Sequence, residues 1–598
     1  MRTKLGDFTT NPRRLWIISL FAVVIGVAAA CVAKILLLLI GLITHVAYLG
    51  QVRGGLIPPD PRHFGLLSIL IPVAGGVLVG FIARYGSDKI RGHGIPEAIQ
   101  SILDKDSVIQ ARVAFWKPLA SALTIGTGAP FGAEGPIIMT GGALGSLFAQ
   151  FLRLSSLERR TLLVAGAAGG MAATFGAPVA SVLIAVELLL FEWRPRSFIP
   201  VAVAAFVAEA MRVVLIGPNP PFLVAHAHSL GVNAFGWALL VGIAGGVVSL
   251  LMTKLVYWTE DAYEKLPVHW MWWPAIGGLV VGIGGWIVPQ ALGVGYPTIS
   301  SMLNGQLALG VVAGIIVVKI VIWIVALGSG TSGGVLAPLL MIGGAMGTLL
   351  AVVIPGHDSA AWAAVGMAAI MGGTMRAPFM ATLFALETTH AWGLLPALFI
   401  GCVAATAFTV VFVPRSILTE KLARRGMHVA REYAVHPLEL ISIGAMMHPR
   451  GKIPSLEIGS TIAGACAVVL EGDARGAYAE YAVFDGGALV ATVSRNDLLR
   501  LARESGEASA SIATIATAAL VMHPEDRIRS AANAMASRDL RSVMVVDERG
   551  EWVGVFGSND LLRAWKRGMG LEERRVRVRS ISRLIGPIAK WRRSKTVS

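Results

Sequence analysis

Apolar residues in this chain come in long runs, broken mainly by glycine, proline and an occasional charge. The runs begin near Leu15 and continue to about Val413, and 16–50, 237–252 and 311–327 are clear examples. About 20 consecutive apolar residues let a helix cross a hydrocarbon layer ~30 Å thick. The pattern therefore predicts a multi-pass helical membrane domain over 15–425. Beyond Pro414 the charge density rises and the runs stop. There GALVATVSRNDLLRLA (487–502) and EWVGVFGSNDLLRAWK (551–566) both read as strand, turn and helix, and both carry Asn-Asp-Leu-Leu-Arg. The second follows VMHPEDRIRSAANAMASRDLRSVMVVD (521–547), a helix and then a Val-rich strand. The expectation is a small α/β module of two similar units, 437–503 and 504–568.

The membrane part is itself duplicated. GAEGPIIMTGGALGSL (132–147) aligns without a gap on GVLAPLLMIGGAMGTL (334–349), sharing Gly, Pro, Met, Gly, Gly, Ala, Gly and Leu. Further on, Gly166, Ala168, Thr174, Ala177, Pro178, Leu183, Ala185 and Glu187 match Gly366, Ala368, Thr374, Ala377, Pro378, Leu383, Ala385 and Glu387. A bias towards Gly and Ala does not reproduce the ordered Pro, Thr, Met and Glu. The two halves run roughly over 15–220 and 235–425. A duplicated domain with short, Gly- and Pro-broken segments suggests an inverted repeat, in which half-helix N-termini meet at the membrane midplane around a substrate. Gly92-His93-Gly94-Ile95-Pro96-Glu97 supplies one more helix start, with Pro entering the helix and Glu in its first turn.

Composition sharpens this picture. The 598 residues are 55% hydrophobic and 15% charged, include 69 glycines, and have mean hydropathy +0.69. The net charge of +15 gathers outside the apolar core: Arg2, Lys4, Arg13 and Arg14 in a basic N-terminus (1–14), and 574–595 within a basic tail (569–598). Positive flanks of a membrane domain read as cytoplasmic. Both termini are expected inside a cell (plasma or inner) membrane, with the bilayer and not nucleic acid as the partner of the basic ends. Cys31, Cys402 and Cys466 have no metal-ligand spacing and an odd count, so neither a metal site nor a disulfide framework is expected. The first apolar run is too long for a cleaved signal peptide.

The focal residue is Glu134. It is the only charge in GTGAPFGAEGPIIMTGGALGSLFAQF (126–151), and a charge at membrane depth costs roughly 3 kcal/mol on insertion scales. Glycines let the backbone turn tightly, and Pro136 suits the first turn of a helix. Such a start directs free N–H groups and a positive dipole end at what lies before it. The site attracts anions, and the Glu134 carboxylate is an anion that could fill it. The alternative is a helix cap or an interhelical polar contact.

GHGIPE, GAEGP and GGVLAP, in this order and spacing, resemble the anion-site signatures of the CLC chloride channel and transporter family over roughly 15–425. The soluble part resembles a tandem pair of CBS domains. The resemblance implies a homodimer with one chloride path per subunit and Glu134 as a proton-accepting gate. It implies a central anion held around His93, Gly94, Ile95, Val335, Leu336 and Leu418. Three positions depart from the family pattern. His93 stands where Ser is common, and either donates to the anion or turns away to cap its loop. Leu418 stands where a Tyr usually closes the inner side, which leaves a looser or purely steric gate. Leu188 follows Glu187 where proton-coupled relatives commonly carry a second Glu, and a leucine cannot relay protons. Glu187, paired with Glu387 by the repeat, points to a helix-end role more than to a proton relay. Lys117 is a further candidate for tuning the anion's potential, or else it is neutral or snorkels.

In the soluble module, Ser494 and Asp497 match the CBS pattern that holds a ribose. The second unit offers Asp560 but has Gly557 in place of the hydroxyl. An adenine nucleotide is one expectation, and a purely structural module with Asp as N-cap is the other. Two rival classes remain. Gly330-Thr331-Ser332-Gly333 with His390 has the form of an intramembrane serine protease if Ser and His meet. A CBS-regulated cation transporter would line its path with carboxylates or carbonyl rings. The expected function is chloride transport without enzymatic activity, as a pH- or voltage-gated channel with a proton/chloride antiporter as the alternative.

Overall fold

The computed structural model describes residues 12–104, 107–190, 192–224, 230–356, 358–425, 438, 441–473, 478–504 and 507–573. Most of the expected basic ends, 1–11 and 574–598, lies outside the described residues. The chain forms two compact units that divide at Tyr433/Ala434.

The first unit is all helical. Its first half comprises α1 (Pro12–Leu49), α2 (Leu70–Tyr85), α3 (Ile95–Asp104), α4 (Ala111–Gly126), α5 (Glu134–Gln150), α6 (Ser156–Phe175), α7 (Pro178–Ile184) and α8 (Pro195–Leu215). The second half repeats the series as α9 (Ala234–Glu264), α10 (Trp273–Ile287), α11 (Tyr296–Leu303), α12 (Leu309–Gly328), α13 (Leu336–Leu350), α14 (Ser359–Met375), α15 (Pro378–Thr389) and α16 (Leu395–Phe412), and α17 (Ile417–Arg424) closes the unit. Seven helices among the described residues are long and apolar enough to cross a membrane. The 38 residues of α1 span roughly 57 Å at 1.5 Å per residue, so this helix crosses obliquely. Others, such as α3, α7, α11 and α15, are too short to cross alone, and α5 and α13 start from fully buried residues inside the domain. Short helices inside a duplicated helical domain agree with the repeat read from the sequence.

Equivalent packings recur in both halves. Helix α5 lies on α6 as α13 lies on α14, and α1 on α8 as α9 on α16. The halves interlock through α2 against α10 and α7 against α15. In the first of these seams small residues let the backbones touch: a Cβ on Gly76 would lie 2.3 Å from the Pro274 carbonyl oxygen, and one on Gly278 would lie 2.4 Å from that of Pro72. Close backbone approach of this kind is how membrane helices pack where water offers no hydrophobic drive.

The α7/α15 seam is fastened by two buried carboxylates. Glu187 Oε2 accepts from the Met380 N–H at 2.9 Å, in the first turn of α15. Glu387 Oε1 and Oε2 accept from Val179 N (3.0 Å) and Ala180 N (2.8 Å), in the first turn of α7. Each acid caps the helix start of the other half, where the orphan N–H groups and the positive dipole end favour it. The first half differs in one respect, because α7 runs into a π-helical turn at Ala185–Leu190 that contains Glu187 and Leu188.

The second unit holds two four-stranded sheets built from β1 (His448–Pro449), β2 (Leu456–Glu457), β3 (Glu480–Asp485), β4 (Ala488–Ser494), β5 (Thr517–Ala518), β6 (Val521–Met522), β7 (Ser542–Val546) and β8 (Trp552–Gly557). Their orders are β2-β3-β4-β5 and β1-β8-β7-β6. This differs from a simple division at residue 503: β1 lies within 437–503 yet pairs with β8, and β5 lies beyond residue 503 yet pairs with β4. Each sheet borrows an edge strand, which ties the two α/β halves together and covers an otherwise open edge.

Glu387→Ala removes two charge-assisted bonds to buried amides and is expected to lower stability by about 3 kcal/mol. Glu187→Ala removes the bond to the Met380 amide and is expected to lower stability in the same direction. Thermal unfolding of the purified protein in detergent checks both, and an unchanged midpoint for Glu387→Ala would contradict the capping role.

Candidate functional site

The two Gly-rich loops meet where the halves cross. Gly132 and Gly334 form an antiparallel bridge, with Gly132 N donating to Gly334 O at 3.3 Å and Gly334 N to Gly132 O at 2.9 Å. This pair lies between equivalent positions of the repeat, and α5 and α13 both start just after it. Glu134, the first residue of α5, is fully buried, and its Oε1 accepts from the Ala337 N–H at 2.9 Å. The carboxylate thus rests on the first turn of α13. Its Oε2 has no hydrogen-bond partner among the described residues. A Cβ on Gly132 would meet the carboxyl atoms at 1.9–2.3 Å, so glycine is what leaves the carboxylate its seat.

Helix α3 approaches from one side. Gly92 and Gly94 adopt positive φ (+83° and +90°) before it, a conformation open to glycine. His93 between them is buried, with Nδ1 unpaired among the described residues. Ile95, Val335 and Leu336 are also fully buried at the helix starts. Gly94 needs correction as an anion ligand. Its N–H donates to Glu97 Oε2 at 3.0 Å, because an acid in the first turn of α3 reaches back to cap its own helix. The amide that takes a carboxylate at α13 is that of Ala337, one residue beyond the pair singled out in the sequence.

Leu418, the second residue of α17, is fully buried and α17 packs against α3. A phenol reaches α17 from α9, where Tyr257 Oη donates to Ile417 O at 2.5 Å. Lys421 Nζ pairs with Glu97 Oε1 at 3.0 Å. A cavity of about 590 Å³ opens here, lined among others by Arg91, Glu97, Met139, Glu260, Lys421 and Arg425. Cations and acids share its wall, so an approaching anion meets a mixed field.

Lys117 is fully buried and does not snorkel. Its Nζ donates to Ile90 O at 2.7 Å and Gly92 O at 2.6 Å, which fixes the loop carrying His93. Lys319 does the same in the other half, donating to Ala291 O at 2.8 Å and Gly293 O at 3.0 Å. The second lysine had a signal in the sequence, because Gly92-x-Gly94-x-Pro96 recurs as Gly293-x-Gly295-x-Pro297 ahead of α11. Ser332 Oγ pairs with Ser121 Oγ at 2.8 Å, while His390 is an exposed residue at the C-terminus of α15.

In the second unit, the three candidate ribose ligands have different surroundings. Asp560 is buried and accepts from Gly557 N at 2.9 Å and from Arg563, with His448 Nε2 at 3.1 Å. The Asp497 side chain is half-exposed and pairs with Arg500, and Ser494 precedes the helix Arg495–Leu501.

Comparison with known proteins gives a consistent result. The sequence profile of the voltage-gated chloride channel family matches residues 75–410. A voltage-gated ClC-type chloride channel, ClcB, from Citrobacter koseri is 31% identical over 408 residues, covering 66% of this chain and 96% of that protein. An H(+)/Cl(-) exchange transporter, ClcA, from Salmonella paratyphi B is 30% identical over 373 residues, covering 60% and 78%. The crystal structure of a eukaryotic CLC transporter superposes with a TM-score of 0.57 at 19% identity, covering 91% of this chain and 98% of the other.

Replacing Lys117 or Lys319 with Met leaves two buried loop carbonyls unpaired. Each variant is expected to lose about 3 kcal/mol, read as a lower unfolding midpoint in detergent. A variant that melts with the wild type would contradict the clamp at that loop.

Proposed function

The chain belongs to the voltage-gated chloride channel (CLC) family, and from that premise we propose that it is a passive chloride channel gated by protonation of Glu134. The observation that carries this reading is the Glu134 carboxylate on the Ala337 amide. An ionised carboxylate occupies the place that a chloride would take at the start of α13. A neutral carboxylic acid loses the attraction of the amide and the helix dipole, and the seat becomes available to the anion. His93, Ile95, Val335 and Leu336 surround the path on the inner side, with Leu418 as an apolar wall. Gly94 supplies the turn and not an amide.

The channel is favoured over the antiporter by what lies below the gate. Leu188 is fully buried and carries no proton-bearing group, and Glu187 is bound to the Met380 amide as a cap. Proton/chloride exchange, the activity in the name of the Salmonella relative, needs a proton route to the inner side. The cation-transporter reading lacks support, because helix starts converge on the site. The serine-protease reading is set aside, since the family consists of channels and transporters. We further read the protein as a homodimer in a plasma or inner membrane with both termini cytoplasmic.

Chloride efflux from liposomes across a range of pH tests the gate. Wild type is expected to speed up as pH falls. Glu134→Gln is expected to run faster at neutral pH, on the order of tenfold if the ionised carboxylate holds the seat by about 1.4 kcal/mol, and to lose its pH dependence. Gly132→Ala, which pushes the carboxylate off its seat, is expected to act in the same direction. Unchanged pH dependence in Glu134→Gln would contradict the gate.

An adenine nucleotide on the CBS pair is proposed at the Asp497 side alone, because Asp560 is engaged by Gly557, Arg563 and His448. Equilibrium dialysis with labelled ATP is expected to show binding that Asp497→Ala abolishes and Asp560→Asn retains. No binding by the wild type would leave the module purely structural.

A further inference from the structure

The repeat gives α3 a counterpart, α11, that approaches the gate from the other half. The loop before it repeats the design of the α3 loop: positive φ at Gly293 (+61°) and Gly295 (+76°), a Pro in the first helical turn, and a buried lysine, Lys319, on its carbonyls. The residue that opens the helix differs. Where α3 begins with Ile95, α11 begins with Tyr296.

The Tyr296 ring is held edge-on between Phe175 (centroids 5.7 Å apart) and Phe222 (5.5 Å). Its hydroxyl is buried and completes no hydrogen bond among the described residues. It faces the Ala133 backbone amide and lies within the field of the Glu134 carboxylate, as does Lys319. A buried hydroxyl without a partner is costly, by about 1–3 kcal/mol, and the aromatic contacts keep this one from turning away. A small cavity of about 20 Å³ opens beside it, lined among others by Thr44, Leu56, Ile125 and Gly293. The larger cavity lies on the α3 side. Tyr296 thus places a rigid side-chain donor on the α11 side of Glu134, with Lys319 holding the loop that carries it.

We propose that Tyr296 is a side-chain ligand for the transported anion on the α11 side of Glu134: when the carboxylate leaves the Ala337 amide, the phenol hydroxyl donates to the chloride that replaces it. This rests on the reading of Glu134 as the gate. A directed O–H donor favours chloride over larger anions of diffuse charge, so Tyr296 sets selectivity as well as affinity. Lys319 acts through its loop and does not touch the anion.

Chloride titration calorimetry on the full-length protein separates the two readings. Glu134→Gln alone decides the gate: it is expected to bind chloride more tightly than wild type, and if it does not, the gate reading fails and takes this proposal with it. Adding Tyr296→Phe to Glu134→Gln decides the proposal. The double variant is expected to bind chloride about tenfold more weakly, the worth of one hydrogen bond to a charged group. Its thiocyanate-to-chloride permeability ratio in liposomes is expected to rise. Equal chloride affinity in the single and double variants, with an unchanged ratio, would overturn it. Phenylalanine keeps the contacts with Phe175 and Phe222, so the melting temperature is expected to stay close to that of the single variant. A large fall would assign the hydroxyl a structural role and would also overturn the proposal.

Discussion

The membrane domain depends on a charge conflict settled inside the protein. A carboxylate at membrane depth needs a partner, and Glu134 finds one in the Ala337 amide of the other half. That contact exists only because two Gly-rich loops, one from each repeat, cross at the Gly132–Gly334 bridge and start α5 and α13 side by side. The same arrangement that pacifies Glu134 would bind a free anion. With Glu134 as the proposed gate, no large motion is needed: the charge of one side chain would decide whether protein or chloride fills the place.

The rest of the helical unit holds that crossing still. Lys117 and Lys319 each bind two carbonyls of a loop that leads to a helix start. Glu187 and Glu387 cap helices of opposite halves. Glycines on α2 and α10 bring backbones into contact. Each device comes as a symmetric pair and spends its polar groups on the protein itself. The unpaired polar atoms near the crossing are therefore informative. His93 Nδ1, Glu134 Oε2 and Tyr296 Oη are all buried without a partner among the described residues, and they cluster where the account puts the anion.

Much of this was legible in the sequence, because membrane folding writes its constraints in residue type. The apolar runs marked the helices, the ordered Gly, Pro, Met and Glu matches marked the duplication, and the lone Glu134 marked the carboxylate that the crossing loops enclose. What could not be read was which atom meets which. Glu97 claims the Gly94 amide because it stands three residues on in a first turn, a local competition that motif matching ignores. Ala337 takes the carboxylate because a helix start offers several amides and only the loop crossing selects one. Lys319 and Tyr296 were overlooked although Gly-x-Gly-x-Pro recurs before α11, since the residues between the glycines and proline differ. In the soluble unit, strands of two residues such as β1 and β5 carry too little pattern to reveal that the sheets exchange edges.

The central claim is that Glu134 is a gate that protons open and not a carrier that moves them. The direct test is proton movement during chloride efflux from liposomes under a valinomycin clamp. Chloride is expected to leave with no accompanying proton uptake. Uphill proton uptake driven by the chloride gradient, and lost in Glu134→Ala, would contradict it and make the protein an exchanger.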